Sequence, residues 1–145
     1  MRRRPSKAPS RWSRVALVTG SSRGVGAAIA AALGAAGIAT VINYRESAGE
    51  AHRLRRRIVA RSGRAIAVKA DVTRAEDVAR LIDAAHRAYG RVDIVVNNAY
   101  DRLESVPFAD VTWQKFQHDY DLQVRAAFEI AKRVLPGMCE RGFGR

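Results

Sequence analysis

Val15-Ala-Leu-Val-Thr19-Gly-Ser-Ser-Arg-Gly-Val-Gly26 is the stretch on which the fold turns. Its first residues form a short apolar run, the pattern of a buried strand. From about Gly24 onward come small residues with Ile29 and Leu33, which predict a closely packed helix over 24–36, ended by Gly37. The glycines therefore lie between a strand and a helix. Gly20 lets the chain leave the strand sharply, Gly24 lets backbone approach a pyrophosphate, and Gly26 lets the helix pack against the sheet. The helix N-terminus offers free N–H groups and the positive end of a dipole to phosphate. The spacing differs from the G-x-G-x-x-G dinucleotide fingerprint and lacks the Gly-Lys-Ser/Thr ending of a P-loop. A bare structural turn is the competing reading.

Outward from this turn, strands and helices alternate. Strands are expected at 38–43, 64–70 and 92–96. A helix over 47–62 places Ala51, Leu54 and Ile58 on one face and Arg53, Arg56, Arg57 and Arg61 on another. Thr73-Arg-Ala-Glu76 has capping-box spacing, before a helix with Val78, Leu81, Ile82 and Ala85 at core positions. A last helix is expected over 112–135, its buried side marked by Phe116, Tyr120, Ala127, Phe128 and Ala131 and its end by Pro136-Gly137. Four strands alternating with helices imply a doubly wound parallel sheet in a three-layer α/β/α arrangement. Ligands in such sheets bind beyond the carboxyl ends of the strands.

Composition narrows the class. The 145 residues, 48% hydrophobic and 28% charged, suit one globular domain. No apolar run approaches the ~20 residues of a membrane helix, so no membrane partner is expected. A lone cysteine, Cys139, excludes an internal disulfide, and His52, His86 and His118 lack metal-ligand spacing. With no secretory signal in view, a cytoplasmic location is expected. Half of the net charge of +12 comes from Arg2, Arg3, Arg4, Lys7, Arg11 and Arg14, in an opening stretch without acids. Residues 1–14 read as a flexible basic tail: a contact for acidic surfaces, a targeting peptide or an unselected extension. The remaining arginines spread over several helices without aromatic interleaving, so no nucleic-acid partner is expected.

The turn Thr19-Gly-x-x-x-Gly-x-Gly26 resembles the cofactor motif of the short-chain dehydrogenase/reductase family. Asp71-Val72 follows the third strand, where relatives place an Asp against adenine. Asn97-Asn98-Ala99 follows the fourth, where relatives carry Asn-Asn-Ala-Gly lining the cofactor cleft. Trp113 and Leu135-Pro-Gly-Met138 also match. The resemblance covers residues 13–145, and 3-oxoacyl-carrier-protein reductases are among the similar branches. It implies the N-terminal part of an NAD(P)-binding Rossmann-like domain over 15–145, after the tail. It also implies hydride transfer with a small carbonyl or alcohol substrate, and a homo-oligomer built on the long helix. Cofactor contacts are then expected from Gly20, Ser21, Ser22, Arg23, Gly24, Val25, Gly26, Asn43, Tyr44, Arg45, Asp71, Val72, Asn97, Asn98 and Ala99.

NADP is the expected cofactor. NAD sites place an acid at the end of the second strand, where it would repel a 2′-phosphate. Here the strand ends Asn43-Tyr44-Arg45, and Arg45, with Arg23 from the turn, could grip that phosphate. In the other reading both arginines are solvated and Glu46 takes the acid's role with NAD. The family's catalytic Ser and Tyr-x-x-x-Lys lie on and after the fifth strand. Tyr44, Tyr89, Tyr100 and Tyr120 are followed at the fourth position by Ala48, Asp93, Glu104 and Val124, and the sequence ends at Gly144-Arg145. The chain is thus expected to be a sheet cut after about four strands and incomplete for catalysis, with a non-catalytic NADP-binding module or pseudogene product as the alternative. It should also leave the fourth strand's edge bare. Gln123 stands where relatives carry a relay Asn, with Asp121 as the choice if the register slips. Tyr100 replaces the Gly of Asn-Asn-Ala-Gly, and either narrows the cleft or points to solvent.

Overall fold

The apolar runs become one parallel sheet. The computed structural model describes residues 14–101 and 106–145, so the tail expected over 1–14 lies outside the described residues except for Arg14. In chain order the elements are β1 (Val15–Val18), α1 (Gly24–Ala35), β2 (Ala39–Tyr44), α2 (Ala48–Ala60), β3 (Ala65–Lys69), α3 (Ala75–Tyr89) and β4 (Ile94–Val96). A 3₁₀ turn (Phe108–Asp110), α4 (Trp113–Tyr120), a π-helical turn (Asp121–Arg125) and α5 (Ala126–Glu140) follow. The strand order is β3-β2-β1-β4, with Leu17 opposite both Val41 and Val95. The chain reverses its direction of growth across the sheet between β3 and β4. That leaves a crevice at the carboxyl ends of β1 and β4, the switch point where such sheets bind ligands.

Strand alternation splits the core in two. Val15, Leu17 and Val41 pack with α3 and α5, while Val18 and Ile42 pack with α1 and α2. The expected inner faces of α2 (Ala51, Leu54, Ile58) and α3 (Val78, Leu81, Ile82, Ala85) are all buried. No helix among the described residues is long and apolar enough to cross a membrane.

Three local expectations are corrected. The final helix continues through Pro136 to Glu140. Pro136 and Lys132 are both exposed, so the carbonyl that loses its N–H partner can bond to water. Its buried face is Leu122, Ala126, Ile130, Val134 and Met138, while Phe116, Tyr120 and Phe128 are at least half exposed. The π turn adds a residue to the helical repeat and rotates everything after it relative to α4. Finally, Thr73 does not form a capping box: α3 has Arg74 at its N-cap, with no side-chain cap. Thr73 turns back to Asp71, its N–H and hydroxyl both donating to Asp71 Oδ1 at 3.0 and 2.7 Å.

The outer edge of β4 is partly covered. Arg145 N–H donates to the Asp93 carbonyl (3.0 Å) and Val95 N–H donates to the Arg145 carbonyl (2.9 Å). That pairing is the hydrogen-bond pattern of a parallel neighbour. The expected bare edge is therefore occupied at this point by the chain's own last residue.

Candidate functional site

A cleft of about 610 Å³ opens at the switch point. Its walls come from the glycine turn, the end of β2, the β3–α3 connection and the residues after β4. Asn43 locks the turn in place from within: its Oδ1 accepts from Gly20 N–H at 3.0 Å, and its Nδ2 donates to the Ala70 carbonyl at 2.9 Å. Ser21, fully buried, donates its hydroxyl to the Val18 carbonyl (2.7 Å) and accepts from Asn43 N–H (3.2 Å). On the other side, the Asn98 amide donates to the carbonyls of Thr19 and Gly20 at 2.9 and 3.2 Å. Thr19 Oγ1 accepts from the N–H groups of Asn98 and Ala99 at 2.9 and 3.0 Å. The turn is thus tied to both neighbouring strands and faces the crevice with its backbone.

Gly24 has φ +59 and open space where a side chain would stand. α1 begins there, with no side-chain cap from Arg23 and no acid in its first turn. Its first N–H groups have no partner within the helix, which leaves them available to an anion.

Of the residues the sequence put forward, Gly20, Ser22, Arg23, Gly24, Val25, Gly26, Asn43, Tyr44, Arg45, Asp71, Val72, Asn98 and Ala99 line this cleft. Ser21 stands behind its wall. Asn97 is exposed and does not line it, and Gln123, on the π turn, is exposed likewise. Leu122 reaches the cleft instead. Tyr100 also lines it, with a relative exposure of 69%.

Two carboxylates carry no local signal of their roles. Asp93, fully buried, accepts from Val15 N–H (2.9 Å) and from Arg91 (2.7 Å), and Arg141 Nε lies 3.3 Å away. It binds β1, β4 and the end of α5 together and does not line the cleft. Asp101 does line it. Its Oδ1 accepts from Arg45 at 3.4 Å and its Oδ2 meets His118 Nε2 at 2.5 Å. The His118 hydrogen bond holds the Asp101 carboxyl below the ordinary carboxylate range; partial burial opposes this and Arg45 adds to it. Arg45 Nε also pairs with Glu46 at 3.2 Å.

Comparison with known proteins gives one answer. The sequence profile of the short chain dehydrogenase family matches residues 14–145. Versicolorin reductase 1 of Dothistroma septosporum is 40% identical over 121 residues, which are 83% of this chain and 46% of that protein. A 3-oxoacyl-[acyl-carrier-protein] reductase of Synechocystis sp. is 37% identical over 133 residues, 92% of this chain and 53% of that protein. The chain spans about half the length of the curated relatives it matches. A metagenomic short-chain oxidoreductase crystallised in complex with NADP superposes with a TM-score of 0.85 at 30% identity, over 93% of this chain and 61% of its own. The fold is thus Rossmann-like α/β.

Proposed function

The chain belongs to the short chain dehydrogenase family, and from that premise we propose that its cleft holds NADP and serves an oxidoreductase acting on a small carbonyl or alcohol. The observation carrying the proposal is the position of Arg45. Arg45 lines the cleft just past the end of β2, with Glu46 beside it, where an NAD-binding protein would place an acid first. Glu46, the nearest acid in sequence, is 80% exposed at its side chain and pairs with Arg45.

The residues fit a dinucleotide. The open backbone at Gly24 and the uncapped first turn of α1 suit a diphosphate. Arg45 and Arg23 bring positive charge toward a 2′-phosphate, and Asp71, Val72, Asn98 and Ala99 provide walls for adenosine. When bound, the nicotinamide supplies or accepts the hydride. This chain's own residues orient the cofactor and neutralise its phosphates.

A second copy of the chain is the proposed occupant of the outer face of α4 and α5. Trp113, Phe116, Tyr120, Val124, Phe128 and Leu135 are each about half exposed or more, a row of exposed apolar side chains along α4, the π turn and α5 of the kind that marks protein interfaces.

Isothermal titration with NADP and NAD tests the cofactor assignment. NADP is expected to bind more tightly, and Arg45→Ala to weaken NADP by about tenfold or more while leaving NAD within twofold. Equal affinities, unaltered by Arg45→Ala, would overturn it.

A further inference from the structure

Arg45 is already engaged in the described cleft, and its two partners differ. Glu46 is its chain neighbour and almost wholly exposed, so it can withdraw into water. Asp101 comes from the opposite wall, 56 positions along the chain and beyond β4. The Arg45–Asp101 pair therefore links the β2 side of the cleft mouth to the β4 side. A phosphate bonded to the Arg45 guanidinium would compete with this pair.

His118 gives the pair its second half. It reaches from α4 to the other Asp101 oxygen, at 2.5 Å against 3.4 Å for Arg45. When Arg45 turns to a phosphate, Asp101 keeps a close partner and is not left as a bare carboxylate facing that phosphate. The Arg45 contact is long and half-exposed, with relative side-chain exposures of 43% and 35%, so it can be exchanged at small cost.

We propose that Asp101 sets the preference for the 2′-phosphate by competing with it for the Arg45 guanidinium, and that His118 tempers this competition by holding the carboxylate. The inference rests on the NADP reading of Arg45. It makes Asp101 a specificity-determining residue and His118 a positioning one. Removing the carboxylate's charge frees Arg45 for phosphate. Removing His118 leaves the carboxylate free to close on Arg45.

The test is isothermal titration of NADP and NAD into the 145-residue chain. Asp101→Asn is expected to tighten NADP about two- to fivefold, the span of a half-exposed ion pair, with NAD changed by less than twofold. Asp101→Ser, which also lacks the charge, should act in the same direction. His118→Ala should weaken NADP by about twofold or more, and should do nothing once Asp101 is Asn, a coupling that simple loosening of the loop would not produce. If the wild type prefers NADP and Arg45→Ala erases the preference, yet neither Asp101 variant raises the NADP-to-NAD affinity ratio, the role of Asp101 is overturned and the cofactor reading stands. If the wild type shows no preference and Arg45→Ala changes nothing, both fall.

Discussion

Gly26 and Gly24 are two residues apart, and the structure assigns them different physical duties, which substitution by alanine separates. A methyl group built on Gly26 would overlap the Asn98 amide nitrogen, and would itself stand 2.9 Å from the Gly20 carbonyl oxygen and 3.0 Å from Ser21 Cα. The Asn98 amide would have to leave, giving up its bonds to the carbonyls of Thr19 and Gly20. Each such bond is worth about 1 kcal/mol net. Residual overpacking against backbone that cannot retreat adds about 1–3 kcal/mol. Better helix propensity returns about 1 kcal/mol, since Gly26 lies inside α1. Gly26→Ala should therefore destabilise the fold by about 2–4 kcal/mol. At Gly24 nothing stands within 4 Å of the added methyl, and only the left-handed backbone at φ +59 opposes it. That costs about 1–2 kcal/mol. Urea unfolding of the two variants beside wild type, in one buffer, gives the comparison. A Gly26→Ala variant within about 0.5 kcal/mol of wild type, or one more stable than Gly24→Ala, would refute the close approach of β4's end to the turn.

Two further outcomes follow from groups outside the turn. Asp77 Oδ2 accepts from Asp71 N–H at 2.9 Å, and this bond, opposed by burial and aided by Arg80 and Arg74, holds its carboxyl below the ordinary value. A depressed carboxyl contributes stability that is complete above its unfolded value, near pH 4, and is lost as pH falls through the folded value. Asp77→Asn should cost about 1 kcal/mol at neutral pH, and the gap to wild type in urea midpoints should close as the pH drops below about 4; a gap independent of pH would contradict the assignment. Phe128→Glu, on the exposed ridge, should weaken self-association at least about tenfold, because each copy loses an apolar burial worth about 1.5–3 kcal/mol; light scattering that gives the same mass with and without the substitution would remove the ridge as the interface.

Much of this arrangement is legible in the sequence because local signals agree with the fold. β1 and β2 are buried on both faces, β1 reading as a continuous apolar run and β2 broken only by Thr40 and Asn43, and the faces of α2 and α3 follow a single helical phase. The glycine turn is legible because its meaning depends on order along the chain: strand, turn, helix. The last helix is a different case. Apolar residues occupy both of its faces, one set for the core and one for the ridge, so periodicity alone cannot choose between Phe128 and Ile130. The π turn then shifts the phase midway, and no local residue announces it. Pro136 reads as a stop only if its freed carbonyl partner is buried, and here it is exposed. The roles of Asp93 and Asp101 depend on partners far away in sequence. An acid directly before β4 and another just beyond the Asn-Asn-Ala stretch look like ordinary loop carboxylates until Arg141, Arg45 and His118 are brought beside them.

The central claim is that the glycine turn at residues 20–26 receives a dinucleotide's diphosphate, through the free N–H groups that open α1 while Asn43 holds those of Gly20 and Ser21. Amide chemical-shift mapping on the ¹⁵N-labelled chain during addition of NADP tests it most directly. The largest changes are expected at Gly20 to Gly26, with a second group at Arg45 that is absent when NAD is added. Shifts gathered instead on the outer arginines of α2, with the turn unmoved, would contradict it.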